Sequence, residues 1–269
     1  MRVELEIWRQ DGPTSEGRFE THVVTDATPE MSLLELLDRL NDQLSEQGVE
    51  PISFESDCRE GVCGACGVTV NDVPHGPVPN TPSCRQHLRA FGGITKLRIE
   101  PLRSGAFPVV RDLVVDRAAL DSVIRAGGHV DVMAGTAPDA DDCLVGHEDA
   151  ELALDFAACI GCGACVAACP NGAAHLFAGA KLAHLAMLPH GKVERTRRAR
   201  AVVDALEASF GPCSSYGECA EVCPAGLPLT AVARFTGRAS ARSSNAAPRP
   251  CRESDPRRLP APGCRPHDS

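Results

Sequence analysis

The sequence has 269 residues, a formal net charge of −9, 14 cysteines and an aromatic content of 4%. The acidic balance and the scarcity of aromatic side chains argue against nucleic acid as a partner, because phosphates are bound through Lys and Arg and bases stack on aromatic rings. No run of about 18 apolar residues occurs, which predicts that no segment spans a membrane, and residues 1–10 carry no signal-peptide pattern. Because the cysteines gather in tight runs, we expect free thiolates in a reduced, cytoplasmic compartment rather than a disulfide scaffold.

The chain begins with a strand–strand–helix pattern. Val3–Trp8 alternates apolar and polar residues, which predicts a half-buried strand, and a turn at Asp11-Gly12-Pro13 leads to a second strand at Phe19–Val24. A helix is predicted from Ser32 to Leu44, with Gly48 as its stop. Its apolar face consists of Leu33, Leu36, Leu37, Leu40 and Leu44. This order is the opening of a β-grasp, the fold of plant-type ferredoxins.

The first cysteine group supports that fold. Three cysteines at C-x4-C-x2-C spacing are followed by a fourth on a separate segment, a pattern typical of plant-type [2Fe–2S] sites. They are Cys58, Cys63, Cys66 and Cys84. A zinc site, the alternative, more often shows C-x2-C pairs. Gly67–Val70 and Ile94–Glu100 are predicted as the closing strands, with Asn71-Asp72 as a turn.

A connector follows the first domain. Phe107–Asp116 leads into a predicted helix that continues to Ile124 and ends at Gly127-Gly128. Residues 135–142 are rich in Gly, Ala, Pro and Asp and predict a loop. Cys143 stands alone, and we expect a small buried or surface residue there rather than a ligand.

The densest cysteine run has C-x2-C-x2-C-x3-C-P spacing. It consists of Cys159, Cys162, Cys165, Cys169 and Pro170. This is the bacterial ferredoxin run, in which three thiolates hold one cubane cluster and the fourth reaches a second cluster. Glycine and alanine between the ligands let the backbone wrap closely around an inorganic core. Zinc, the alternative, takes four ligands in pairs and would leave the third close cysteine unused.

Helical periodicity surrounds a second run of the same kind. Apolar residues at three- and four-residue spacing predict helices near Ala173–Leu188 and Arg195–Phe210, separated by Pro189-His190-Gly191. The second run contains Cys213, Cys219, Cys223 and Pro224. Tyr216 stands where its second cysteine would be.

The tyrosine changes the predicted cluster type. In the crossed arrangement, one [4Fe–4S] site takes Cys159, Cys162, Cys165 and the distant Cys223. The other site keeps only three thiolates, Cys169, Cys213 and Cys219. A phenol is a poor match for a soft iron–sulfur corner. The sequence therefore predicts a [3Fe–4S] cluster there.

The predicted domains follow from these groups. Residues 1–104 form a [2Fe–2S] ferredoxin-type domain, and residues 105–238 form the connector and a helical ferredoxin domain. Residues 239–269 are dominated by Ser, Ala, Pro and Arg and predict a disordered tail. No role is expected for the two cysteines of that tail, Cys251 and Cys264.

Some polar residues allow two interpretations. His175, His184 and His190 are potential haem ligands or proton relays, although we expect surface or capping positions. Lys192–Arg200 holds five basic residues. A solvated helix face is the simpler interpretation, and contact with anionic lipid or a membrane partner is the alternative.

Three cluster motifs in this order resemble the iron–sulfur subunit of succinate dehydrogenase and fumarate reductase, over about residues 1–236. The stretch CPNGAAHLFAGAKLAHLAMLPHG is similar to the branch found in actinobacteria and related bacteria. The resemblance implies an α+β fold, a β-grasp domain followed by an all-α helical ferredoxin domain. It also implies a place in the tricarboxylic acid cycle and a peripheral position at the cytoplasmic face of the cell membrane.

In this family the subunit carries electrons between two partners. The FAD-containing flavoprotein oxidises succinate to fumarate, and a membrane anchor, with or without haem b, holds the quinone site. The [2Fe–2S] cluster faces the flavin and the [3Fe–4S] cluster faces the quinone. No Ser–His–Asp or carboxylate-pair constellation occurs in this sequence, which places substrate chemistry in the flavoprotein.

One departure from the family pattern concerns the quinone. In ubiquinone-reducing members, a tryptophan follows shortly after the proline matching Pro170, and a histidine follows the cysteine matching Cys213. Here Ala173 and Ala174 occupy the first region, and Ser214 the second. The family's quinone-binding side chains therefore do not carry over, and the resemblance favours menaquinone.

Two other function classes remain open on the sequence. One is a soluble multi-cluster ferredoxin that shuttles electrons between enzymes, and the other is a non-redox metal-binding interaction module. Three clusters of different type favour a fixed electron path, since a diffusing carrier needs only one. Co-purification with a flavoprotein and a membrane chain separates these possibilities.

Overall fold

The computed structural model describes residues 1–93, 95–129, 145–187 and 192–240. Strands dominate its first part and helices its second, which confirms the predicted α+β class. The strands are β1 (Val3–Arg9), β2 (Arg18–Val24), β3 (Val68–Val70), β4 (Val73–Pro74), β5 (Lys96–Pro101), β6 (Val109–Arg111) and β7 (Val114–Val115). The helices are α1 (Leu33–Glu46), α2 (Ala118–Val123), α3 (His147–Ala157), α4 (Ala164–Ala167), α5 (His175–Met187), α6 (Lys192–Ser209), α7 (Glu218–Glu221) and α8 (Thr230–Ser240).

The first core lies between a five-stranded sheet and α1. The sheet has the order β2-β1-β5-β3-β4, in which β1 pairs antiparallel with β2 and parallel with β5. Leu5 and Ile7 of β1 and Ile99 of β5 are completely buried against the leucines of α1. This is the topology expected of the β-grasp. The closing strand begins at Lys96, and Ile94 of the predicted strand lies outside the described residues.

Both ends of α1 are fixed by local hydrogen bonds. Ser32 and Glu35 form a capping box, in which Ser32 N donates to the Glu35 carboxylate at 2.6 Å. At the other end, Gly48 has a φ of 68°, and Val49 N donates to Leu44 O at 2.9 Å. This Schellman-type ending confirms Gly48 as the stop.

The connector differs from its prediction. The helix leading to Ile124 is present as α2, but the β6–β7 hairpin precedes it. Asp112 forms the turn of this hairpin and is almost completely buried. Its carboxylate accepts hydrogen bonds from Gln10 N at 3.0 Å and Ser53 N at 2.8 Å. The hairpin is therefore attached to the first domain by a buried charge with backbone donors.

The basic run on α6 is only partly solvated, so the prediction of a solvated face is wrong for Arg198. This side chain is buried, and it donates to Gly127 O at 3.3 Å and to His129 O at 2.6 Å. Glu194, one turn earlier, pairs with it at 2.7 Å. Gly127 lies against the Arg198 backbone, so α6 anchors the end of the connector.

Helices α3, α5, α6 and α8 build the second part of the molecule. A Cβ at Gly179 of α5 would lie 2.5 Å from Ala231 O, so glycine permits the close packing of α5 on α8. The predicted helices near Ala173–Leu188 and Arg195–Phe210 are confirmed as α5 and α6, whereas α8 was not predicted. Among the residues that the structure describes, no helix is both long and apolar enough to cross a membrane.

The two ferredoxin runs adopt the same local structure. Each contains a short helix, α4 or α7, directly after a glycine with positive φ: 87° at Gly163 and 104° at Gly217. The sequence did not predict these one-turn helices. Their common geometry matches the internal repeat of the two cysteine runs.

Candidate metal-cluster sites

The first thiol group lies on a loop between α1 and β3, with its fourth member on the short helical turn Ser83–Arg85. The loop bends sharply around its cysteines, with positive φ at Arg59, Gly61 and Gly64. Glu60 N donates to Cys58 Sγ at 3.4 Å, and Ala65 N donates to Cys63 Sγ at 3.4 Å. The backbone N–H groups thus point at sulfur, which stabilises thiolates and tunes a cluster.

The thiols of this first group sit in contrasting environments. Hydrogen bonds from the backbone N–H groups of Glu60 and Val62 lower the pKa of Cys58 to about 6. Burial raises the pKa of Cys66 to about 12, and the neighbouring charges of Cys84 and Cys63 add to it. A buried thiolate among others needs a positive centre, which iron supplies. The donor set therefore fits a metal cluster.

The second thiol group brings together cysteines from both ferredoxin runs. Burial raises the pKa of Cys162 to about 12, and the charges of Cys159 and Cys223 act in the same direction. Burial also raises the pKa of Cys165 well above its ordinary value, again with contributions from Cys159 and Cys223. The structure thus places Cys223 close to the cysteines of the first run.

The third thiol group lines one pocket. Its walls include Cys169, Cys213, Cys219 and Tyr216. Burial raises the pKa of Cys219, and the charges of Cys169 and Cys213 raise it further. The Asn171 side chain joins the two runs here, because its amide donates to Pro212 O at 2.9 Å and to Ser214 Oγ at 2.7 Å. Three cysteines and Tyr216 therefore line one pocket.

His175 is half-buried and lines the pocket of the third thiol group. It is the first residue of α5, and its ring packs edge-to-face on Phe235 with centroids 5.3 Å apart. Burial lowers the pKa of His175, and its Nδ1 has no hydrogen-bond partner in the described part of the chain. His190 lies outside the described residues, as do the predicted loop 135–142 and Cys143, Cys251 and Cys264.

The three groups lie in series. Gly64, in the first loop, packs directly on Ile160 and Cys162 of the second. A pocket of about 600 Å³ has both Cys63 and Cys159 in its wall. The second group adjoins the third, because the charge of Cys219 raises the pKa of Cys165.

Arg117 is a residue of this region that the sequence did not single out. Its guanidinium bonds to both the first and the second cysteine loop. Nothing local in the sequence marks it, since it lies in the connector, far along the chain from either loop.

All three groups offer sulfur, a soft donor. Every described cysteine is a free thiol. Within the described ranges, no group of three or more His, Cys, Asp or Glu side chains is arranged to hold a single metal ion. Buried thiols with backbone donors fit iron–sulfur clusters, whose several irons spread their ligands around a larger core.

Comparison with known proteins agrees with this geometry. A family model described as a 2Fe-2S iron-sulfur cluster binding domain matches residues 4–122, and one described as a 4Fe-4S dicluster domain matches residues 158–227. The fumarate reductase iron-sulfur subunit of Haemophilus influenzae is 31% identical over 228 residues, covering 76% of this chain and 81% of its own length. That of Mycobacterium tuberculosis is 31% identical over 256 residues, covering 87% and 91%.

Two further similarities complete the comparison. The succinate dehydrogenase iron-sulfur subunit of Bacillus subtilis is 29% identical over 186 residues, covering 67% of this chain and 68% of its own length. A chain of the Mycobacterium smegmatis Sdh1 complex in the apo form superposes with a TM-score of 0.66 at 23% identity, covering 90% of this chain and 97% of that chain. This structural likeness shows a shared fold.

Proposed function

This chain belongs to the family of iron–sulfur subunits of succinate dehydrogenase and fumarate reductase, and from this premise we propose how its residues relay electrons between a flavoprotein and a membrane quinone. The proposal rests on one observation, the serial arrangement of three thiol groups. Clusters held by three thiol groups that adjoin one another would form a path with two ends, as a subunit between two fixed partners requires.

Each centre has a proposed ligand set. The [2Fe–2S] centre takes Cys58, Cys63, Cys66 and Cys84. The [4Fe–4S] centre takes Cys159, Cys162, Cys165 and Cys223. The [3Fe–4S] centre takes Cys169, Cys213 and Cys219. When bound, these clusters supply one-electron chemistry, and the polypeptide supplies ligation, spacing and exclusion of water.

The local residues tune the three sites differently. Backbone N–H groups donate to Cys58 and Cys63, which stabilises negative charge at the first site. The second site is buried at Cys162 and Cys223, which disfavours added negative charge. Among the described residues the third site has three cysteines and no fourth, and Tyr216 is 61% exposed. A three-iron centre with fewer thiolates and partial solvent access is expected to have the highest potential.

The two outer sites carry exposed apolar side chains suited to partner contacts. Val62 is 66% exposed beside Cys63 at the first site, and Leu229 is 40% exposed at the pocket of the third. We assign the first surface to the FAD-containing flavoprotein and the second to the membrane anchor with its quinone, of the menaquinone type. The subunit would then be peripheral, held at the cytoplasmic face of the membrane.

Co-purification and EPR spectroscopy test this function. The chain is co-expressed with the flavoprotein and anchor subunits of the same organism, and membranes are solubilised. We expect a complex that reduces a quinone with succinate, a [3Fe–4S] signal in the air-oxidised state without reductant, and a [2Fe–2S] signal on reduction. A cluster-loaded chain that purifies without either partner would instead support the soluble carrier. Absence of the oxidised signal with full cluster occupancy would reject the three-iron assignment.

A further inference from the structure

Arg117 connects two cysteine loops that are distant in sequence. It lies directly before α2, and its Nη1 donates to Gly64 O at 2.6 Å and to Cys162 O at 3.3 Å. Gly64 lies between two proposed ligands of the first centre, and Cys162 is a proposed ligand of the second. One planar guanidinium therefore holds the two loops together, which a point-charge ammonium does with less directional control.

The loops touch through their backbones at the same place. Gly64 has a φ of 74°, and a Cβ there would overlap the carbonyl oxygen of Ile160 and lie 3.0 Å from Cys162 N. No side chain separates the loops at this point. The distance between the first and second centres is therefore set by backbone contact together with the Arg117 bonds.

The charge of Arg117 is partly shielded from water. Its side chain is 20% exposed, and its Nη2 pairs with the Glu55 carboxylate at 2.6 Å. A cation in this partly buried position stabilises negative charge on nearby cysteine sulfurs. Arg117 also lines, together with Cys63 and Cys159, a pocket of about 600 Å³. A fixed cation near a cluster favours its more negative, reduced form.

We propose that Arg117 is a positioning residue that holds the [2Fe–2S] loop against the [4Fe–4S] loop and raises the reduction potentials of both centres, with Glu55 offsetting part of its charge. The inference rests on the proposed function. It concerns only the electron transfer between these two centres. One electron leaves one centre and enters the other, no covalent bond forms or breaks, and no proton moves.

Three variants of the complex test this role, together with one control. Arg117→Gln removes the cation, Arg117→Lys keeps the charge without the fork, and Glu55→Gln removes the opposing charge. Arg111→Gln is the matched control, because Arg111 is an exposed arginine of the same connector that pairs with Glu50. Midpoint potentials are measured by EPR-monitored titration, and the magnetic interaction between the two reduced centres reports their spacing.

Removing the Arg117 cation and removing the Glu55 carboxylate should shift the midpoint potentials in opposite directions. Arg117→Gln lowers both potentials, by up to about tenfold in the reduction equilibrium, or about 59 mV for one electron. Glu55→Gln raises both potentials, and Arg111→Gln leaves them unchanged. Arg117→Lys restores most of the potential but not the magnetic interaction, which weakens because the two carbonyls lose their shared donor.

Several results would overturn the inference. Shifts of the same sign in Arg117→Gln and Glu55→Gln would show a general loss of structure rather than an effect of charge. If Arg117→Gln and Glu55→Gln both have the same midpoint potentials as the Arg111→Gln control, Arg117 does not tune the two centres. If Arg117→Gln assembles no clusters, an unchanged potential in Glu55→Gln alone rejects the proposal. Absence of either centre in the wild-type complex would reject the proposed function itself, together with this inference.

Discussion

Gly64→Ala is the sharpest structural test of the contact between the first two cysteine loops. Alanine would be forced into the φ of 74° that glycine adopts there, and its Cβ would overlap Ile160 O and lie only 3.0 Å from Cys162 N. Backbone cannot move away as a flexible side chain can. The substitution must therefore distort one of the loops or push them apart.

The expected loss in the free energy of unfolding of Gly64→Ala has two contributions. The left-handed conformation costs an alanine about 1 kcal/mol, and overpacking of a tight contact costs about 1–3 kcal/mol. Gly48→Ala is the matched control, since Gly48 has a φ of 68° and nothing within 4 Å of its hypothetical Cβ. The control should therefore lose only the conformational contribution to its stability, about 1 kcal/mol. We therefore expect Gly64→Ala to be destabilised by about 3 kcal/mol.

Calorimetry of the cluster-loaded, anaerobic protein measures the difference. At about 2–4 °C for each kcal/mol, the control should melt about 2–4 °C lower than wild type and Gly64→Ala about 6–12 °C lower. The magnetic interaction between the first two centres should weaken only in Gly64→Ala. Equal melting shifts in the two variants, with an unchanged magnetic interaction, would refute the close contact between the loops.

Three other predictions concern the cluster ligands. Tyr216→Cys places a cysteine in the wall of the pocket that Cys169, Cys213 and Cys219 line. The third centre should therefore gain iron, lose its oxidised EPR signal and drop in potential. A retained three-iron signal would show that position 216 cannot present a sulfur. Cys63→Ser should abolish or alter the reduced [2Fe–2S] signal, and an unchanged signal would reject the ligand assignment. Deleting residues 241–269, which leaves α8 intact, should preserve iron content, whereas loss of a whole cluster would make Cys251 or Cys264 a ligand.

Local sequence patterns were sufficient for much of this protein. The leucines of α1, its capping residues Ser32 and Glu35, and the stop at Gly48 act over one or two helical turns, so their spacing alone defined the helix. The cysteine runs are equally local, because ligation of one cluster by neighbouring residues requires a fixed spacing. Fold class, family and candidate ligands therefore followed from the chain read in order.

Other features depended on partners far along the chain. The β6–β7 hairpin lacks a strong turn signal, and Asp112 is fixed by donors from Gln10 and Ser53. Helix α8 packs on Gly179 of α5, and no local pattern announces that contact. The predicted boundary at residue 238 falls inside this helix, which continues to Ser240.

The tertiary structure also decided the roles of two arginines. The sequence predicts a solvated helix face for the basic run that contains Arg198, yet Arg198 bonds to Gly127 O, 71 residues away. Arg117 bonds to Gly64 O, 53 residues away, and to Cys162 O, 45 residues away. The sequence by itself supplied the candidate cluster ligands, because ligation depends on residue type and local spacing. Only the tertiary structure decided how closely the cysteine loops approach one another and that Arg117 bonds to two of them, because long-range packing brings those residues together.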